Sequence, residues 1–238
     1  MRRRCEHGTL GLMHIDIYSD PICPWCFIGK RRLERALAER PGLEVTVRWR
    51  AFQLNPDMAP DGMDRGAYLA AKFGGADRAA QVYQYVLAAA RKEGLAIDLA
   101  AIRRTPNTLD AHRLIRFAGP GAVQDKVVEG LFRGYFLDGR DIGDREVLVA
   151  VAADAGLDGP AVSAFLDGDQ EAAAVQAEDR RARMLGITGV PCFIFDDKYA
   201  LTGAQEPAAF LPLFDLEQAA AARPSNGDTD LAAGSGHT

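Results

Sequence analysis

Cys23 and Cys26, in the run Cys23-Pro24-Trp25-Cys26, stand between a stretch that alternates as a half-buried strand does and one with helical periodicity. His14-Ile15-Asp16-Ile17-Tyr18 is the strand, Ser19-Asp20-Pro21 breaks it, and Phe27 to Ala38 reads as a helix that stops near Pro41-Gly42. The chemistry this placement allows is thiol–disulfide exchange. A sulfur at a helix start faces backbone N–H groups without intrahelical partners and the positive end of the helix dipole. The Cys23 thiol should therefore ionise below the usual value of about 8.5. Cys26, one turn further on, can reach that sulfur and close a disulfide. In exchange, Cys23 attacks a substrate disulfide, a mixed disulfide forms, and Cys26 displaces the reduced product; run backwards, the steps oxidise a dithiol. The competing reading is a pair of small buried hydrophobes at chance spacing. It leaves unexplained why strand, turn, cysteine pair and helix occur together.

The chain has 238 residues, 48% of them apolar, enough to bury a sizeable core as one domain with a large insertion or as two units. A formal net charge of −5 argues against a general nucleic-acid binder. The basic run Lys30-Arg31-Arg32 reads as a solvated helix face, with attraction of an anionic substrate as the sharper alternative. The four cysteines, Cys5, Cys23, Cys26 and Cys192, are too few for a disulfide scaffold and lack the second pair a zinc ribbon needs, so no metal is expected. Met1-Arg2-Arg3-Arg4 imitates the front of a signal peptide, but Glu6, His7 and Gly8 interrupt it before any apolar region. No stretch approaches the ~20 apolar residues that span a membrane. The expectation is a cytoplasmic protein without a membrane or nucleic-acid partner.

Stepping along the chain, Leu43 to Arg50 alternates apolar and polar residues and makes a second strand, so strand, helix and strand form a parallel crossover unit. Residues 51–63, with Asn55-Pro56 and Pro60, leave the sheet as a loop. From 64 to 185 the sequence shows only helical stretches: one capped near Asp64, then Asp77–Glu93, Thr108–Ala118 capped by Asn107, Ala122–Phe136, Asp144–Ala155, Pro160–Leu166 and Gln170–Leu185. Strand character returns at Cys192–Phe195 and Tyr199–Thr202 around an Asp196-Asp197 turn, and Glu206–Ala222 reads as one last helix. This order divides the chain into 13–62, an all-helical insertion over 63–186, and 187–222, with disordered tails expected at 1–12 and 223–238.

The order resembles the thioredoxin fold split by a helical domain, as in the DsbA-like family. The stretch Ser19-Asp20-Pro21-Ile22-Cys23-Pro24-Trp25-Cys26-Phe27-Ile28-Gly29-Lys30-Arg31-Arg32-Leu33-Glu34 is similar to the opening of the FrnE-like branch. Phe52-Gln53-Leu54-Asn55-Pro56, Asn107-Thr108-Leu109-Asp110-Ala111-His112, Gly189-Val190-Pro191 and Gly203-Ala204-Gln205 resemble its later motifs in the same order. The fold class implied is α/β, a thioredoxin fold split by a large all-helical insertion. The resemblance makes Pro191 the cis-proline facing the cysteines, and Val190 the backbone that pairs with a bound peptide or glutathione as an added strand would. Without it, a proline opening a strand is merely tolerated there. The branch is related to 2-hydroxychromene-2-carboxylate isomerase and to the kappa-class glutathione transferases, in which an asparagine at the position of Asn55 contacts glutathione. By that likeness Asn55, Val190, Ala204 and Gln205, with Pro24 and Trp25 of the motif, line a glutathione or peptide groove. Trp25 stands where strongly oxidising relatives carry histidine and adds no positive charge, which implies a milder oxidant. Cys192 departs from the apolar or aromatic residue expected after the proline and is either core packing or a third redox thiol. His112 reads first as a packed histidine and second as a proton shuttle.

Three functions follow from these readings. The first is a thiol–disulfide oxidoreductase acting on protein or small-molecule thiols, needing no cofactor and able to take glutathione as co-substrate. The second is a glutathione-dependent isomerase or transferase; that class usually presents serine at the first motif position, and here both positions are cysteine. The third is a non-catalytic peptide-binding or chaperone module. Substrate, direction of electron flow and assembly, a homodimer included, are left open.

Overall fold

The computed structural model describes residues 12–221. Its first strand, β1 (Met13–Ser19), buries Ile15 and Ile17 completely. The crossover helix α1 (Pro24–Ala38) carries the chain to β2 (Val45–Ala51), which lies parallel to β1 with Trp49 opposite Ile17. A two-residue ladder follows, β3 (Met63–Asp64) against β4 (Arg104–Thr105), bracketing α2 (Arg65–Phe73) and α3 (Ala76–Lys92). It departs from the all-helical expectation for this region. A strand this short has no readable alternation, so only its pairing across the intervening helices reveals it. Five helices complete the insertion: α4 (Leu109–Ala118), α5 (Ala122–Phe136), α6 (Arg145–Asp154), α7 (Gly159–Asp167) and α8 (Ala172–Met184).

The chain then returns to the sheet as β5 (Cys192–Phe195) and β6 (Tyr199–Thr202), both antiparallel, giving the order β2-β1-β5-β6. The last helix does not run unbroken from Glu206. A 3₁₀ turn at Pro207–Ala209 precedes α9 (Leu211–Ala221). Pro212 is the cause, since its ring clashes with the turn before it and is accommodated only at a helix start. Residues 1–11 and 222–238, and with them Cys5 and the expected tails, lie outside the described residues. Among the described residues no helix is long and apolar enough to cross a membrane.

The insertion is fastened to the sheet by side chains that cap the outer edge of β2. The Trp49 N–H donates to Gln124 Oε1 of α5 (2.9 Å), the Ala51 N–H to Glu178 Oε2 of α8 (2.8 Å), and, just past the strand, the Gln53 N–H to Asp179 Oδ1 (2.8 Å). Edge-strand donors that would otherwise need water are thus satisfied inside the molecule. On the other side of α1, Phe27 stacks on Phe132 of α5 with ring centres 5.1 Å apart. The basic run on α1 is not the solvated face that its composition suggests. Lys30 is buried among Glu34, Asp125 (3.1 Å) and Glu129 (3.3 Å), and Arg32 among Glu93 (2.9 Å) and Glu206 (2.7 Å). These side chains meet acidic residues brought up by other segments as well as by α1, and composition alone cannot distinguish that from facing water.

Candidate active site

The turn Asp20-Pro21-Ile22-Cys23 sets the thiols in place. The Cys23 N–H donates to the Asp20 carbonyl (2.9 Å), and the Asp20 carboxylate accepts from the Ile22 N–H (3.3 Å), a use of Asp and Pro typical of tight turns. Cys23 is left as the extended residue capping α1, with Pro24 in the first helical turn, where its missing N–H costs nothing. The Cys23 thiol points at the Val190 carbonyl, Sγ to O 3.6 Å. Cys23, Cys26 and Cys192 are all buried free thiols.

The two motif thiols are driven apart in acidity. Cys23 is held below its ordinary value first by the Cys26 thiol donating to its sulfur and then by the N–H groups of Cys26 and Trp25, against burial and the Asp20 charge. Cys26 is pushed well above it by burial and by the negative sulfur of Cys23, although the Ser19 hydroxyl and the Asp20 N–H face its own sulfur. The helix start supplies the N–H groups of Cys26 and Trp25. The geometry adds the partner thiol as the larger influence. Alkylation by iodoacetamide should therefore modify Cys23 at lower pH than an ordinary thiol, its rate falling as pH drops through the lowered value. Cys192 should stay unmodified in the folded protein, because burial pushes its thiol upward. Peptide mapping after timed quenching checks both expectations.

The Val190–Pro191 peptide bond is cis. Its loop lies on α1 at Gly29, where a Cβ would stand 2.9 Å from Pro191 Cγ and 3.6 Å from Ala204 Cβ. The Pro191 carbonyl accepts the Gly203 N–H (2.8 Å), and the Ala204 carbonyl accepts Arg32 Nη1 (2.6 Å), so both loops are tied to the helix that carries the thiols. Val190 therefore meets Cys23, Pro191 and Ala204 lie against α1 at Gly29, and Pro24 and Trp25 are half-buried within the motif. Gln205 is exposed and turns its amide back to the Thr202 carbonyl (2.9 Å). Asn55 serves the turn over Pro56, its carbonyl accepting the Met58 N–H (3.1 Å), while its amide nitrogen is buried without a partner among the described residues. Cys192 follows Pro191 in sequence, but strand alternation sends it to the opposite side of the sheet, against Tyr18, Phe52, Ala182 and Ile187. The motif thiols belong to the other core.

Sequence reasoning missed Gly29, Arg32 and Asp20 as parts of this site. Asp20 read only as a strand breaker; its signal was an acid standing directly ahead of the thiols. Nothing in the sequence marks Gly29, whose role depends on a loop far along the chain. Among the described residues no group of His, Cys, Asp and Glu side chains is arranged to hold a metal.

The DSBA-like thioredoxin domain family matches residues 14–214. A probable DsbA oxidoreductase of Streptomyces coelicolor is 36% identical, with a TM-score of 0.77 over 92% of this chain and 94% of its own. The protein YwbO of Bacillus subtilis is 28% identical over 189 residues, 78% of this chain and 88% of its own. The cytosolic disulfide reductase DsbM of Pseudomonas aeruginosa, solved with glutathione, is 20% identical and shares the fold alone, with a TM-score of 0.58 over 87% of this chain and 96% of its own. The split mixed sheet, the thiols capping its first helix and this match over nearly the whole described chain lead to one assignment: the chain belongs to the DsbA-like thioredoxin-domain family.

Proposed function

We propose that the chain is a thiol–disulfide oxidoreductase working through the Cys23–Cys26 pair, with Cys23 as nucleophile. The observation that carries this reading is the placement of Cys23 as the cap of α1 with the Cys26 thiol donating to its sulfur and Val190 O in reach of it, which divides the acidity of the two thiols. A thiolate and a thiol in contact are what exchange requires. Cys23 Sγ⁻ attacks one sulfur of a substrate disulfide, the substrate S–S bond breaks, and one substrate thiolate leaves. Cys26 then gives up its proton and attacks Cys23 Sγ; the mixed S–S bond breaks, the second substrate thiolate leaves, and two electrons have passed to the substrate. The backbone of Val190 offers a strand-like edge on which a peptide or glutathione can lie. The unfilled buried amide of Asn55 and the likeness to glutathione-bound DsbM favour glutathione as a co-substrate, with no further cofactor. That likeness also favours a cytoplasmic setting.

The glutathione-dependent isomerase reading requires a bound glutathione thiolate that stays free. A thiolate at Cys23 exchanges with any glutathione disulfide formed beside it, which favours redox chemistry. The test is to titrate the pair in glutathione redox buffers, reading its closure by mass after acid quenching, beside an assay of glutathione-dependent isomerisation. The expected result is closure of Cys23 with Cys26 and no isomerisation. A pair that stays open at every glutathione ratio while isomerisation turns over replaces this reading with the second.

A further inference from the structure

The two faces of the sheet are unlike. Alternation along β1 and β2 sends Ile15, Ile17, Val45, Val47 and Trp49 into the core under α1, whereas Asp16, Arg48 and Arg50 stand on the face that α8 partly covers. A parallel strand pair is ordinarily apolar on both sides because both are buried, and an aspartate and two arginines on one side depart from that rule. They line a cavity of about 490 Å³ between the sheet and α8, which Arg116 of α4 also lines. That volume falls within the range of small-molecule sites, roughly 300–1,000 Å³. The cavity lies across the sheet from α1 and its thiols.

Its carboxylates have their oxygens occupied, while its guanidinium groups keep donors free. Asp16 accepts Arg48 Nε (2.6 Å) and Nη2 (2.7 Å) and Arg50 Nε (3.1 Å). Glu178 accepts Arg50 Nη1 (2.7 Å) on one oxygen and the Ala51 N–H (2.8 Å) on the other. Arg116 gives its Nε to Glu171 (2.6 Å) and stands 3.5 Å from Glu178 through Nη1. Arg48 Nη1, Arg50 Nη2 and Arg116 Nη2 make no hydrogen bond among the described residues. Arg181, exposed on α8, has no ion pair among them. Four guanidinium groups thus face three lining carboxylates, the third being Asp197. Burial pushes the Tyr18 phenol up, so its hydroxyl stays a donor beside them. Leu185, 57% exposed, and Ile194 give the same cavity an apolar side.

Spare guanidinium edges beside a neutral hydroxyl are donors for a phosphate, whose oxygens the planar fork meets two at a time. A phosphate monoester brings a charge of about −1.5 to −2 and three acceptor oxygens, more than a carboxylate offers to several arginines at once. An arginine already held by a carboxylate along one edge also loses less freedom when its other edge binds. We propose that this cavity binds a small phosphate-bearing molecule, its phosphate among Arg48, Arg50, Arg116 and Arg181 and its apolar body on Leu185 and Ile194. Binding there involves no covalent step and is independent of the thiol chemistry, from which the sheet separates it.

Calorimetric titration of the full chain with inorganic phosphate and with phenyl phosphate, at constant chloride, tests this. Both should bind at one site per chain and compete, phenyl phosphate more tightly because its ring lies on Leu185 and Ile194. Arg181→Glu should weaken phenyl phosphate about ten- to a hundredfold, the loss expected when a charged hydrogen bond is removed. Arg180→Glu makes the same change of charge one residue away, where α8 lines a different cavity with Gln53 and Asn107, and should leave the affinity nearly unchanged. If either reversal does not fold, Arg181→Ala read against Arg180→Ala gives the same comparison. Absence of saturable binding, equal weakening by the two changes on α8, or phenyl phosphate no tighter than inorganic phosphate overturns the proposal. Cys23→Ser should bind as the unaltered chain does. The redox reading can therefore fail while phosphate binding persists, whereas binding lost in Cys23→Ser overturns the separate site.

Discussion

Cys23→Ser should abolish disulfide reduction, a loss on the order of a thousandfold or more, because a hydroxyl at the same place is not ionised near neutrality and is a far weaker nucleophile. Cys26→Ser should behave differently and accumulate a mixed disulfide on Cys23. The serine hydroxyl can still donate to the Cys23 sulfur, so the largest influence holding that thiol down is kept while the resolving thiol is gone. Cys26→Ala removes the donor too, and its Cys23 should ionise at higher pH and react more slowly with substrate disulfide at neutrality. The ordering separates the partner thiol from the helix start as the source of acidity. If Cys26→Ala leaves the pH midpoint of Cys23 alkylation where it was, the backbone N–H groups of Trp25 and residue 26 suffice and the partner thiol is not the source of the acidity. Single-turnover reduction of a peptide disulfide, with intact-mass detection of the trapped adduct, checks the first two variants. A Cys23→Ser chain that keeps its reductase rate, or gains isomerisation, would shift the assignment to the glutathione-dependent class.

What the sequence made legible is what repeats or stands at fixed spacing. The alternation of residues 14–18, the turn residues Ser19-Asp20-Pro21 and the cysteine spacing locate the site, because each is a local rule with a local signal. The helix α5 falls on the span read for it, Ala122–Phe136, since glycine and proline stand before it and its apolar face is continuous. What could not be read are contacts between distant segments. The capping of β2 by Gln124, Glu178 and Asp179 uses residues that look like ordinary surface polar positions on their helices. Asp20 and His112 carry no signal singly, and only the fold buries an acid of the first loop 3.9 Å from a histidine of the insertion. The Lys30-Arg31-Arg32 run misled for the same reason: its acidic partners Asp125 and Glu129 lie on α5, and Glu93 terminates α3.

Gly29→Ala should cost far more activity than stability. Two effects on stability oppose each other. Alanine in place of a helix-interior glycine gains up to ~1 kcal/mol of helix propensity. Overpacking costs about 1–3 kcal/mol, because the new Cβ would stand 2.9 Å from Pro191 Cγ and 3.2 Å from Phe193 Cζ. Neither neighbour yields easily: a proline ring does not swing aside, and Phe193 is held edge-on by Phe210 at 5.0 Å between ring centres. The net loss in unfolding free energy should therefore stay within about 2 kcal/mol. The strain is relieved by the Val190–Pro191 loop moving off α1, which takes Val190 O away from its 3.6 Å approach to Cys23 Sγ and shifts the edge on which substrate would lie. Misplacement by a few tenths of an ångström to one ångström reduces exchange by about 10- to 100-fold. Cys23 keeps its acidity in this variant, since Cys26, Trp25 and Asp20 all stand on the α1 side of the contact. Iodoacetamide, which needs only the thiolate, should alkylate it at the unaltered rate while reduction of a peptide disulfide slows. Denaturant unfolding, alkylation kinetics and peptide-disulfide reduction on the one variant give the three readings. Equal slowing of alkylation and reduction would show that Gly29 serves the helix rather than the placement of Pro191.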